Sequence, residues 1–164
     1  IKEYLSDSCS SLFSASGSGV GLKIFIERRE SDNRCFHRHV LPLDKFHEFL
    51  KNHDFTIVCL EDLSVLDQIS LFSRADVVVG VHGAGLSNLI FMKEGSKVFE
   101  IQHERGSHDY FECLAVAAGV THVRLPLSGY LNIIEEDKYF HPEILFNQCP
   151  LRFDQVRLSA LLDE

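Results

Sequence analysis

The chain has 164 residues, 45% of them hydrophobic, with a mean hydropathy of +0.01 and a formal net charge of −8. That length suffices for one domain with a substantial core, because a chain of about 150 residues buries roughly 70% of the surface its unfolded form exposes. The composition excludes a disordered segment, no apolar run approaches the roughly 18 residues of a membrane helix, and scattered acids leave no basic face for a nucleic-acid backbone.

Residues 6–21, "SDSCSSLFSASGSGVG", hold seven serines and three glycines and predict a linker or loop arriving from an upstream domain, with the folded domain spanning 22–164. Ile1 in place of a methionine leads to the expectation of a piece of a longer protein. "LKIFIERR" (22–29) predicts a strand and "LDKFHEFLKNH" (43–53) a helix, with Asp44 as its cap and Phe46, Phe49 and Leu50 on one face. "FTIVCL" is a second buried strand. In "SVLDQISLFSRA" Ser64 and Asp67 have capping-box spacing, and Val65, Ile69 and Phe72 line one side of a helix. "DVVVGV" is the third strand, "LSNLIFM" a short helix, "SKVFEI" the fourth strand, and "DYFECLAVAAG" a helix closed by Gly119. "THVRLPL" makes a fifth strand, and "FDQVRLSALLDE" a last helix after a looser stretch.

Strands and helices alternate, and the strands are apolar on both faces. That pattern predicts an α/β fold, a doubly wound, mainly parallel Rossmann-like sheet covered by helices on both sides. Ligands of such sheets bind beyond the carboxyl ends of the strands, where "GVHGAG" (80–85) stands. Two readings of this turn are open. Its glycines and the following helix N-terminus form an anion cradle, or Gly83 and Gly85 only permit a tight strand-to-helix turn. The order G-x-x-G-x-G after the third strand departs from the dinucleotide fingerprint, which argues against a nicotinamide enzyme.

Arg28, Arg29 and Arg34 stand at or just after the carboxyl end of the first strand. They are either a clamp for phosphate oxygens or surface cations paired with Glu27 or Glu30. Glu100 ends the fourth strand, where it either accepts ribose hydroxyls or pairs with Arg105. The histidine pairs His37/His39 and His103/His108 lack ligand partners at a suitable spacing, and Cys9, Cys35, Cys59, Cys113 and Cys149 form no CxxC pair. No metal site is expected, although Glu61 and Asp62 are the serious candidates if there is one. The odd cysteine count leaves disulfides and redox compartment open.

The segments "IERRESDNR" (26–34) and "LEDLSVLDQISLFSRADVVVGVHGAGLSNLIFMKEGSKVFEI" (60–101), with their separation, resemble the carboxyl-terminal half of glycosyltransferase family 61. The resemblance runs from about Lys23 to Val123. It implies the second Rossmann-like domain of a GT-B enzyme, the half that binds the sugar nucleotide, with an amino-terminal acceptor domain outside this chain. It further implies inverting transfer of a sugar from a nucleotide sugar, such as a UDP-sugar, to a hydroxyl of a glycan or glycoprotein, without metal or cofactor and without contact of this segment with nucleic acid or membrane. On that resemblance Arg28, Arg34, Gly83, Ala84, Gly85, Leu86 and Ser87 bind the donor diphosphate, Glu100 the ribose, and His82 either donates to a phosphate oxygen or acts on the acceptor. Glu27 stands where the family carries a small residue, and Ser87 where threonine is commoner. The work would lie in the secretory lumen of a eukaryote or the cytoplasm of a bacterium. A non-catalytic nucleotide- or phosphate-binding module is the alternative.

Overall fold

The structure is a computed structural model that describes residues 21–29, 39–105, 109–129 and 151–162. Arg34, His37, His108, Cys9, Cys35 and Cys149 therefore lie outside the described residues, as does nearly all of the predicted linker.

In chain order the elements are β1 (Leu22–Glu27), β2 (Val40–Leu41), α1 (Leu43–Asn52), β3 (Phe55–Cys59), a 3-10 turn (Leu60–Asp62), α2 (Val65–Phe72), β4 (Ala75–Val81), a 3-10 segment (Ala84–Phe91), β5 (Lys97–His103), α3 (Tyr110–Ala118), β6 (Thr121–Leu127), β7 (Leu151–Arg152) and α4 (Gln155–Leu162). Five strands form one parallel sheet in the order β3-β1-β4-β5-β6. The expected doubly wound class is observed.

The sheet forms because its strands are apolar on both sides, and the period of two sends alternate residues to opposite cores. Ile24, Ile26, Val78 and Val98 join the core under α2, the 3-10 segment and α3. Phe25, Val79 and Phe99 join the other, which Phe46, Phe49 and Leu50 of α1 and Leu158 of α4 close. Each fully buried side chain of this kind contributes about 1.5–3 kcal/mol relative to exposure. The predicted carboxyl-terminal helix is present, and its segment is anchored where Leu151 N–H donates to His39 O (2.7 Å) and Phe153 N–H to Leu41 O (2.8 Å). Phe153 then packs its ring at an angle against Phe46 and Phe49, centroids 5.5 and 5.4 Å away.

Local details differ from expectation in three places. Pro42, not Asp44, is the residue before α1, and no side chain caps it; Asp44 sits inside the first turn, where its charge still suits the dipole. Ser64 does cap α2, its Oγ accepting from Asp67 N–H at 3.2 Å and donating to Asp67 Oδ2 at 2.7 Å. The buried face of α2, however, is Asp67, Leu71 and Phe72, and Val65 is 71% exposed because the helix turns the Asp67–Leu71 side to the core. "LSNLIFM" winds as 3-10 rather than α.

β1 and β4 are neighbours whose chains leave in opposite directions: β1 leads to α1 on one face, and β4 to the 3-10 segment on the other. The carboxyl ends of these two strands are thus the topological switch point of the sheet, the position where parallel α/β folds bind their ligands.

Candidate functional site

At the switch point a small cleft is bounded by Glu27 and Arg28 from the end of β1, Leu60 and Glu61 after β3, and Val81, Gly83, Gly85 and Leu86 after β4. Arg28 also borders a second hollow toward His39 and α1. The two adjacent arginines behave differently. Arg29 is ion-paired with Asp62, where the surface-pair reading named Glu27 or Glu30, of which Glu30 lies outside the described residues. Arg28 is exposed and has no ion-pair partner among the described residues. A guanidinium presents five donors and no acceptor, so at Arg28 this capacity faces the cleft edge unspent. Two carboxylates share that edge. Glu27 is held by His47 Nε2 at 2.6 Å, and Glu61 accepts from Cys59 Sγ at 3.2 Å. Burial, and then the bond and charge of Glu61, push the Cys59 thiol up, so it is a protonated neighbour rather than a thiolate.

The glycine turn contributes less cradle than its sequence suggests. Leu86 is 1% exposed, and its amide already donates to Gly83 O at 3.0 Å, so it is no phosphate donor. The 3-10 winding leaves the amides ahead of that first bond, those of Ala84 and Gly85, as the ones the segment does not use. Gly83 is extended, with φ 166° and ψ 170°, a conformation open to other residues. Gly85 is required for packing: a Cβ there would lie 3.1 Å from Leu60 Cδ1 and 3.3 Å from Ile26 Cγ2. The turn thus fits the tight-packing reading at Gly85 and leaves the cradle to two backbone amides. Ala84 and Ser87 are exposed on the outer side of the segment.

His82 and Glu100 meet each other instead of the cleft. His82 N–H continues the β4–β5 ladder by donating to Ile101 O at 2.8 Å. Its ring Nδ1 hydrogen-bonds Glu100 Oε1, and its face packs edge-on to Phe111 of α3, centroids 5.3 Å apart. Glu100 is 0% exposed, and its other oxygen bonds His122 Nε2 at 2.8 Å. The two roles expected for Glu100, ribose acceptor or partner of Arg105, are therefore both replaced: each carboxylate oxygen is committed to a histidine. Burial pushes this carboxyl up, but the bonds from His122 and His82, reinforced by their charges, outweigh it and hold the group below the usual carboxylate range. His122 was not anticipated. The available signal was its place two residues from Arg124 in a strand, and so on the same face.

Arg124 is held at 2.5 Å by both Asp109, just before α3, and Glu112 within it, which raises its affinity for the proton further. His103 is 2% exposed; burial pushes its pKa down, and its Nδ1 accepts from Arg105 N–H at 3.1 Å. Among the described residues no group of three or more His, Cys, Asp or Glu stands close enough to hold a metal ion, and no helix is long and apolar enough to cross a membrane.

The model of the family described as Glycosyltransferase 61 matches residues 4–99, more than half of the chain. The EGF domain-specific O-linked N-acetylglucosamine transferase of Canis lupus familiaris is 30% identical over 84 residues, covering 51% of this chain and 15% of that protein. The Mus musculus counterpart is 31% identical over 85 residues, with the same 51% and 15%. Protein O-linked-mannose beta-1,4-N-acetylglucosaminyltransferase 2 of Mus musculus is 30% identical over 105 residues, 62% of this chain and 18% of that protein. The chain thus spans less than a fifth of the length of these curated relatives. With its parallel sheet and a strand-end turn that carries the "HGAGL" block inside the matched region, the chain belongs to glycosyltransferase family 61.

Proposed function

We propose that this chain is the donor-binding half of an inverting glycosyltransferase, and that the cleft between β1 and β4 receives the diphosphate of a nucleotide sugar. The single observation that carries this reading is Arg28: an exposed guanidinium, unpaired among the described residues, at the one sheet position where a parallel α/β fold opens a crevice. In the reaction an acceptor hydroxyl, giving its proton to a general base, attacks the anomeric carbon from the face opposite the leaving group. The C–O bond to the nucleoside diphosphate breaks, and negative charge grows on the departing phosphate. Arg28, with Arg34 and the Ala84 and Gly85 amides, stabilises that charge, and a charged hydrogen bond of this kind contributes about 1.5–3 kcal/mol. Ser87 adds a hydroxyl at the outer rim.

No metal takes part in this scheme, since guanidinium and amides provide the positive charge a divalent cation would supply. The relatives' names give the first donor to test, a uridine diphosphate sugar carrying N-acetylglucosamine, and a protein hydroxyl or protein-bound mannose as acceptor class. The test is transfer by the full-length protein from this donor to such acceptors, with and without excess EDTA. Transfer that survives chelation and declines as ionic strength rises supports the reading. Activity lost on chelation and restored by manganese or magnesium would move the diphosphate onto a cation.

A further inference from the structure

Glu27 ends β1 beside Arg28, and the two border both hollows at the switch point. Strand alternation sends Glu27 to the same face as Phe25, toward α1, where His47 Nε2 holds its Oε1 at 2.6 Å. Its Oε2 has no hydrogen-bond partner among the described residues, and the side chain is 26% exposed. A carboxylate oxygen only accepts, so one held in place and open to a ligand is met by an N–H or O–H group. The second hollow lies alongside, walled mainly by Phe25, Val40, Leu43, Phe46 and Val81, with room for about one water-sized group. A wall of that kind favours a methyl group over water.

We propose that Glu27 and this hollow read the acetamido group of a 2-acetamido sugar on the donor, Oε2 accepting its N–H and the hollow receiving its methyl. This rests on the reading that Arg28 binds the donor diphosphate, and it names the sugar class that the same site takes. A secondary amide is planar and trans, so its N–H and its acyl methyl point to the same side and can meet one wall together. The group hangs from the carbon next to the anomeric one, which carries the phosphate, as Glu27 adjoins Arg28. A hydroxyl at that carbon would satisfy Oε2 and leave the hollow to water. Unmatched, a carboxylate beside a diphosphate only repels it; matched by an amide N–H, it favours the donor that carries one over those that do not. His47 keeps the carboxylate from turning away.

Calorimetric titration of the full-length protein with UDP, UDP-glucose and UDP-N-acetylglucosamine tests it, the last two differing at that carbon alone. Wild type should prefer the acetamido donor by at least about tenfold, the lower end of what one pocketed methyl or one matched N–H decides. The preference should shrink toward equality in Glu27→Ala, which removes the acceptor, and in Leu43→Phe, which fills the hollow from the partly buried first position of α1; UDP still bound by each variant is the sign of an intact fold. Equal binding of the two sugar nucleotides by wild type, or a preference left intact in either variant, overturns the proposal, and with UDP binding still dependent on Arg28 the diphosphate reading stands. UDP binding that is absent, or indifferent to Arg28→Ala, removes that reading and this proposal with it.

Discussion

The two sides of the Gly83 turn hold similar residues in opposite circumstances. Toward β1, Arg28 is exposed beside Glu27 and Glu61, and its charge is not matched by an ion pair among the described residues. Toward β5 and β6, Glu100 is wholly buried and both of its oxygens are bonded. A charge left open at a strand end remains able to meet a ligand, whereas a charge closed in on all sides does its work on its neighbours. The same contrast separates Arg28 from Arg29, which Asp62 holds.

The contrast breaks most visibly at its closed side. Glu100→Ala leaves two ring N–H groups facing a cavity, and removing one partner from a buried ionic cluster costs about 3–5 kcal/mol, to be measured by urea unfolding. A loss below about 1 kcal/mol would mean that the cluster is wet and no different from the open side. Acid should act through the same group. The folded carboxyl lies below its ordinary value of about 4.3 because the histidine bonds outweigh burial. Its stabilisation is therefore complete above that ordinary value and lost as pH falls through the lower, folded one. Unfolding free energies measured from pH 6 downward should thus converge between wild type and Glu100→Gln only below the ordinary carboxylate range; a constant gap throughout would contradict the ionised cluster.

Between the two sides, Gly85→Val tests what the turn is for. Its Cβ would meet Leu60 and Ile26 at 3.1 and 3.3 Å, so overpacking should cost about 1–3 kcal/mol of stability in a denaturation curve. Unchanged stability with lost nucleotide binding would restore the glycine to the ligand. The smallest effect is expected on the open side: Glu61→Gln removes one negative charge from the edge shared with Arg28 and should tighten binding of UDP by a factor of a few, a gain that fades with added salt. Weaker binding in this variant would mean that Glu61 contacts the ligand or a cation.

What was legible in the sequence followed from local rules. Runs such as "DVVVGV" between helical patterns specify a parallel strand because both faces must be apolar, and Gly119, at φ 67°, closes α3 where a left-handed residue is needed. The exposed face of Val65 was missed because two turns of helix leave its rotation to tertiary contacts. The reason for Gly85 was hidden too, since Ile26 approaches it from β1 and Leu60 from the 3-10 turn after β3. Likewise the partners of Glu100 lie 18 and 22 residues away in sequence, and only the β4-β5-β6 order puts them side by side. The arginine at the switch point was readable as a position, but which of Arg28 and Arg29 stays open depended on where Asp62 comes to rest.

That last distinction gives the most direct test of the account. Calorimetric titration of the full-length protein with UDP should show Arg29→Ala binding within about twofold of wild type, because Asp62 and not the ligand loses a partner. Arg28→Ala should bind roughly 10- to 150-fold more weakly, the equivalent of about 1.5–3 kcal/mol for one charged hydrogen bond. Equal affinities for wild type and Arg28→Ala, or a greater loss in Arg29→Ala, would contradict the placement of the diphosphate between β1 and β4.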